Sequence, residues 1–135
     1  MHKRAVAVGV VLVSLGIASA PVWALQDPWI ILPDPLIDPW ILIYEDTDYL
    51  LGSGDYWIYT GTLEGGTTYK FVLLVPDRAD FDIEIYDEEG NLVASGILAG
   101  SEDEVVYLTP LWTQTYTIVV YSFSGSGSYT LRLYH

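Results

Sequence analysis

The sequence predicts an all-β chain, an antiparallel β-sandwich of seven to eight strands in a jelly-roll-like arrangement after an N-terminal signal peptide, and three observations lead there. First, Asp80 to Gly96 (DFDIEIYDEEGNLVASG) alternates with a strict period of two, setting Phe81, Ile83 and Ile85 opposite Asp80, Asp82 and Glu84. An apolar row backing an acidic row describes a strand with one face in a core and one in water. Second, glycine-bearing turns recur at a spacing of roughly ten residues, as in sandwiches. Third, valine, isoleucine, threonine and tyrosine dominate the intervening runs, as strands prefer, and no helical period follows the first apolar stretch.

The opening residues read as an export signal. His2, Lys3 and Arg4 form a basic start, Ala5 to Ala20 an apolar run, and Val22-Trp23-Ala24 a small-residue end, so residues 1–24 are expected to be removed and the mature chain to begin at Leu25. The run of about 16 residues is short of the ~20 that span a bilayer, and no cysteine is present to take a lipid. The mature chain is therefore expected to be secreted to the extracellular space or cell envelope, with no membrane attachment.

Residues 25–43 form a proline- and tryptophan-rich leader in which DPWIIL at Asp27–Leu32 recurs as DPWILI at Asp38–Ile43. Its prolines remove backbone donors and favour extended backbone, which predicts a leader ending in an edge strand near Ile41 to Tyr44. Trp29 and Trp40 either pack along the domain or form an apolar patch that docks a partner.

Residues 44–135 carry the sandwich. Strands are expected at Asp55–Thr60, Thr67–Val75, the Asp80–Gly96 hairpin, Glu104–Thr109, Thr115–Ser122 and Tyr129–Tyr134. Alternation assigns the core to Tyr69, Phe71, Leu73 and Val75, to Tyr116, Ile118 and Val120, and to Tyr129, Leu131 and Leu133. Most of the eleven tyrosines fall at such positions and read as sheet residues with a wet hydroxyl end. Trp57 is out of phase with Tyr56 and Ile58, and Trp112 follows Pro110 in a loop, which leaves both as candidate ligand-binding side chains.

Composition narrows the function. Removal of residues 1–24 leaves three basic residues against eighteen acidic ones, a net charge of −15, and such a surface repels nucleic acid and anionic lipid while attracting cations. The absence of cysteine excludes thiol and redox chemistry. His135, at the extreme C-terminus, is the one histidine of the mature chain, so neither a serine–histidine–acid triad nor a histidine zinc site is expected, and the chain reads as a non-enzyme. Calcium is the cofactor that fits, because it takes six to eight hard oxygen ligands in irregular geometry. Glu45, Asp46 and Asp48 precede the first strong strand and Asp80 and Asp82 open the hairpin, so these five are the candidate calcium ligands; the competing reading is a solvated acidic face.

From Asp55 to Tyr134 the chain resembles the bacterial and archaeal pre-peptidase C-terminal domain. The resemblance lies in the ordered series Asp55-Tyr56-Trp57-Ile58-Tyr59, Gly65-Gly66, Asp80 to Asp87 with Gly90 to Ala94, Glu104 to Leu108, Tyr116 to Val120, and Gly127 to Leu131. Where some relatives have an acidic leader that supplies calcium ligands, this chain has Tyr44-Glu45-Asp46-Thr47-Asp48. The resemblance implies a free-standing, non-catalytic accessory module that attaches to an extracellular protein, a polysaccharide or another insoluble polymer. Self-association through the DPWI leader and the strand edges is the alternative.

Overall fold

The computed structural model describes residues 3–7 and 39–135, and within them the chain forms nine strands. They are β1 (Lys3–Ala7), β2 (Leu42–Leu50), β3 (Tyr56–Leu63), β4 (Tyr69–Leu74), β5 (Asp80–Tyr86), β6 (Leu92–Gly96), β7 (Glu104–Leu108), β8 (Gln114–Ser124) and β9 (Gly127–Tyr134). One sheet has the order β1-β3-β8-β5-β6 and the other β2-β9-β4-β7. The eight strands from β2 onward pair antiparallel, as expected, whereas β1 lies parallel to β3, with Lys3 opposite Tyr56 and Ala7 opposite Thr60. Trp29 and the rest of residues 8–38 lie outside the described residues.

From β2 onward every connection except the β5–β6 hairpin carries the chain from one sheet to the other. That hairpin closes as the opening segment suggested. The Asp87 carboxylate accepts from the backbone N–H of Glu89 and Asn91 at 3.0 and 2.8 Å, and Gly90 takes φ 86°, a left-handed conformation that glycine adopts without a Cβ penalty. Four backbone and side-chain hydrogen bonds to this exposed carboxylate, with Asn91 foremost, hold its pKa below the ordinary value.

The core is the set that alternation selects. Phe81, Ile83 and Ile85 from β5 meet Tyr69, Phe71 and Leu73 from β4, with Tyr116, Ile118 and Val120 from β8 and Tyr129, Leu131 and Leu133 from β9. Two aromatic rings tie the layers together: Phe81 stands edge-on to Tyr129, with centroids 6.3 Å apart and planes at 86°. Behind them the Tyr59 and Tyr129 hydroxyls hydrogen-bond at 2.5 Å, and Tyr59 donates to Asp46 Oδ2 at 2.9 Å. Burial, followed by this hydrogen bonding, pushes the Tyr59 hydroxyl pKa far up, so the chain of bonds stays protonated at any ordinary pH.

The expected edge strand near Ile41 runs on to Leu50, and this extension alters the acidic region. Strand alternation turns Glu45 outward, opposite Arg132, and Asp46 and Asp48 to the other face, opposite Leu131 and Tyr129.

Candidate binding surface

The outer face of the β2-β9-β4-β7 sheet is built by the same alternation that makes its inner face a core. Because Tyr69, Phe71 and Leu73 point inward, Lys70 and Val72 point outward; because Leu131 and Leu133 point inward, Arg132 and Tyr134 point outward. The register then sets two rows across the sheet. One runs Tyr107, Lys70, Tyr134, Leu42, and the next Val105, Val72, Arg132, Glu45.

Trp40, just ahead of β2, folds onto the first row. Its ring lies 5.7 Å from that of Tyr107 at an angle of 46°, and the Lys70 ammonium sits 5.0 Å from the Trp40 centroid and 4.6 Å from the Tyr134 centroid. Contacts of this kind are worth ~0.5–1 kcal/mol at exposed sites and hold the cation in the middle of an aromatic cluster. In the second row Arg132 Nε donates to Glu45 Oε2 at 2.6 Å. Tyr107 remains 58% exposed, Val105 is exposed beside it on β7, and Leu42 is exposed at the far end of the first row. Beyond the end of β7 the loop at 109–113 adds Leu111 and Trp112, the latter 63% exposed. This loop is held firmly: Gly66 N–H donates to Pro110 O at 2.7 Å, and Gly65 N–H to Thr113 Oγ1 at 3.1 Å.

The other expected site residues are dispersed. Trp57 turns inward and packs against the core, its indole N–H donating to Tyr49 O at 3.2 Å. Of the five acids offered as calcium ligands, Glu45 pairs with Arg132, Asp46 accepts from Tyr59, and Asp48 Oδ1 accepts from Tyr49 N–H at 2.7 Å. Those three belong to β2, and Asp80 and Asp82 to β5 in the opposite sheet, so the five do not come together. Among the described residues, no three acidic or histidine side chains are grouped to hold a metal ion.

The acidic row of β5 is less open than its pattern suggests. Asp82 faces out of the sheet, opposite Tyr121, yet is only 5% exposed. It lines a cleft with Asp80, Tyr121, Phe123 and, from the β6–β7 loop, Ile97 and Ala99, so a loop covers what alternation assigned to water. Glu104, where that loop enters β7, is 2% exposed and accepts a hydrogen bond from Leu98 N–H. Burial first, and then the neighbouring carboxylates, raise the pKa of both Asp82 and Glu104. A carboxyl whose pKa is higher folded than unfolded binds more protons in the native state, so it contributes stability below the ordinary carboxyl pKa and loses it as pH rises through the raised value. The melting midpoint is therefore expected to rise as pH falls from 7 to 5. Glu104→Gln should flatten that slope in a series of thermal melts, and an equal slope in the variant would exclude Glu104 as its source.

Sequence reasoning missed Lys70, Arg132, Tyr107 and Tyr134 as a group. The signal was present: two of the three basic residues after residue 24 sit at outward positions of strands whose inward residues had been identified.

Neither a protein-family model nor a curated protein sequence matches the chain. Among solved structures, the chain is similar to the pre-peptidase C-terminal domain of a collagenase from Bacillus anthracis, with a TM-score of 0.55 and 19% identity over 67% of this chain and 87% of that one. It is also similar to PliG of Aeromonas hydrophila, a periplasmic inhibitor of g-type lysozyme, with a TM-score of 0.53 and 8% identity over 99% of this chain and all of the other. The chain thus has the fold of a pre-peptidase C-terminal-type β-sandwich.

Proposed function

We propose that this chain is an exported, non-catalytic binding module. Residues 1–24 are removed on export, and a partner protein is engaged by the outer face of the β2-β9-β4-β7 sheet with the adjoining Leu111–Trp112 loop. The observation that carries the reading is the cluster in which half-buried Trp40 and Tyr134 flank Lys70 and exposed Tyr107 packs on Trp40, with the exposed Leu111–Trp112 loop beyond the end of β7. Aromatic anchors on a rigid frame are the usual centres of binding energy, and Lys70 and Arg132 suit acidic groups on the partner despite the overall negative charge. A protein is favoured over a sugar because Trp40 and Tyr107 are tilted and Trp57 is turned inward, which leaves no flat pair there for a pyranose ring to stack on. Both structural neighbours fit such a role: one is an accessory domain of a collagenase, the other an inhibitor of a lysozyme.

A second reading, assembly from copies of this chain, is favoured by β1. Lys3–Ala7 fills the β3 edge in parallel register, so that edge accepts a strand, and removal of residues 1–24 opens it to one from another copy.

One comparison separates the two. Mature protein and a Tyr107→Ser/Trp112→Ser variant are immobilised, exposed to the extracellular fraction of the source cells, and examined by sedimentation. The binding reading expects a monomer whose captured partner binds the variant roughly 30-fold more weakly, the equivalent of about 2 kcal/mol for lost anchors. Equal capture by the variant removes this face from the proposal. A concentration-dependent dimer or polymer with no captured partner supports assembly.

A further inference from the structure

Gly61 leaves a hole in the inner face of β3. Strand alternation places it between Tyr59 and Leu63, both buried, on the side that faces the other sheet. A Cβ built there meets nothing within 4 Å, and the space it would enter is a slot of about 30 Å³ lined by Tyr44, Phe71, Ile118, Leu131 and Leu133. The slot lies where β2 and β3 run past one another at the side of the sandwich, with the Tyr44 and Tyr59 rings edge-on at 6.3 Å. Its size decides what it can hold. One water needs ~10–15 Å³ of such space and a small-molecule site about 300 Å³ or more, so this slot admits the tip of one aliphatic side chain. An apolar slot of that size beside a strand edge suits an added strand, whose main chain pairs with the edge while the slot selects a side chain. That the β3 edge takes a strand is shown by β1, which pairs in parallel along Tyr56–Thr60 and stops one residue short of Gly61.

The opposite sheet shows which sequence suits an edge of this sandwich. The second repeat, Asp38–Ile43, runs into β2, where Leu42 pairs with Tyr134 of β9 and Ile43 packs against the core. The first repeat, Asp27–Leu32, differs from it by exchange of its last two residues. We propose, on the assembly reading, that the first repeat of one copy takes the place of β1 on the β3 edge of another, with Ile30 and Leu32 turned inward and one of them seated in the Gly61 slot. The slot sets that phase, because the alternate face carries Trp29, whose indole exceeds it. The donor is a second copy and not the chain's own leader. Ile41 is bonded to His135, and ahead of it Trp40 lies over Lys70 and against Tyr107 on the outer face, which draws the chain away from a slot that opens between the sheets. Donor and acceptor are different surfaces, so the contact is head-to-tail and can extend from copy to copy.

The test is sedimentation of the mature protein across a concentration series, with two variants. Gly61→Leu fills the slot from within, and Ile30→Ser/Leu32→Ser removes the donor's aliphatic side chains without adding charge. Each is expected to weaken association by about tenfold or more, the scale of one lost aliphatic anchor, while Gly61→Leu melts no lower than the parent because its side chain enters open apolar space. Mixed together, the two variants should form a one-to-one dimer, since one keeps the donor and the other the acceptor. If the parent assembles and both variants assemble equally well, or if they fail to combine when mixed, this inference is overturned and the assembly reading stands. A parent that stays monomeric at every concentration overturns both.

Discussion

Phe81→Ala is expected to cost about 3–5 kcal/mol, the range for deleting a buried aromatic side chain and leaving its cavity. Phe81 is fully buried at the centre of the sandwich, and its edge-on contact with Tyr129 crosses from the β5 sheet to the β9 sheet. Alanine removes the apolar area and the interlayer contact together, and the edges of both sheets hold them too far apart to close the gap. For a domain of this size the loss is a large share of a total stability of ~5–15 kcal/mol and lowers the midpoint by on the order of 15 °C. Urea unfolding followed by tryptophan fluorescence reads it directly: the transition should move to lower urea with an unchanged slope. Phe81→Leu, which refills most of the volume, should recover more than half of the loss. A transition displaced by less than 1 kcal/mol in the alanine variant would show that this contact does not hold the layers together.

Gly65→Ala is the second large effect, and it links stability to the binding surface. A Cβ built on Gly65 stands 2.5 Å from Trp112 Cα and 2.8 Å from the Trp112 carbonyl carbon, both of them backbone atoms that no rotamer change can move. The 109–113 loop must shift as a unit, which breaks the hydrogen bonds from Gly65 and Gly66 to Thr113 and Pro110. Overpacking costs about 1–3 kcal/mol, and two weakened hydrogen bonds set this case in the upper part of that range. Gly61→Ala serves as the control, because a Cβ there meets nothing within 4 Å. Its midpoint should change little, while Gly65→Ala melts several degrees lower with an altered Trp112 environment. If partner binding depends on Leu111 and Trp112, Gly65→Ala also weakens it at temperatures where the fold is intact.

Much of this architecture was readable from period-two alternation, and the failures share one cause. Alternation in β5 assigned Phe81, Ile83 and Ile85 to the core correctly, and β4, β8 and β9 followed the same rule. Alternation states which side of a strand a residue occupies, but not what covers that side. Asp82 was therefore expected in water, whereas a distant loop buries it. Glu45, Asp46 and Asp48 looked like one acidic cluster because β2 was expected to end near Tyr44; its continuation to Leu50 sorts them onto opposite faces. Trp57 shares a face with Tyr59, and only the sheet packed beneath it makes that face interior. The cluster of Trp40, Tyr107, Lys70 and Tyr134 required cross-strand register, which depends on pairing Lys70 with Tyr107 and with Tyr134, far along the chain, and is absent from any local pattern.

The position of β9 carries a consequence for how the molecule comes into being. The last strand of the chain is an interior strand of its sheet, hydrogen-bonded to β2 on one side and β4 on the other. Until Gly127–Tyr134 has been synthesised, β2 has no neighbour in its sheet, and Phe71 and Leu73 lack Leu133 and Leu131 opposite them. Closing such distant pairings is entropically slow and yields nothing until both ends are present. Folding of the β2-β9-β4-β7 sheet therefore waits on the segment that sits at its centre, and a chain interrupted before Gly127 keeps β2 and β4 as unjoined edges.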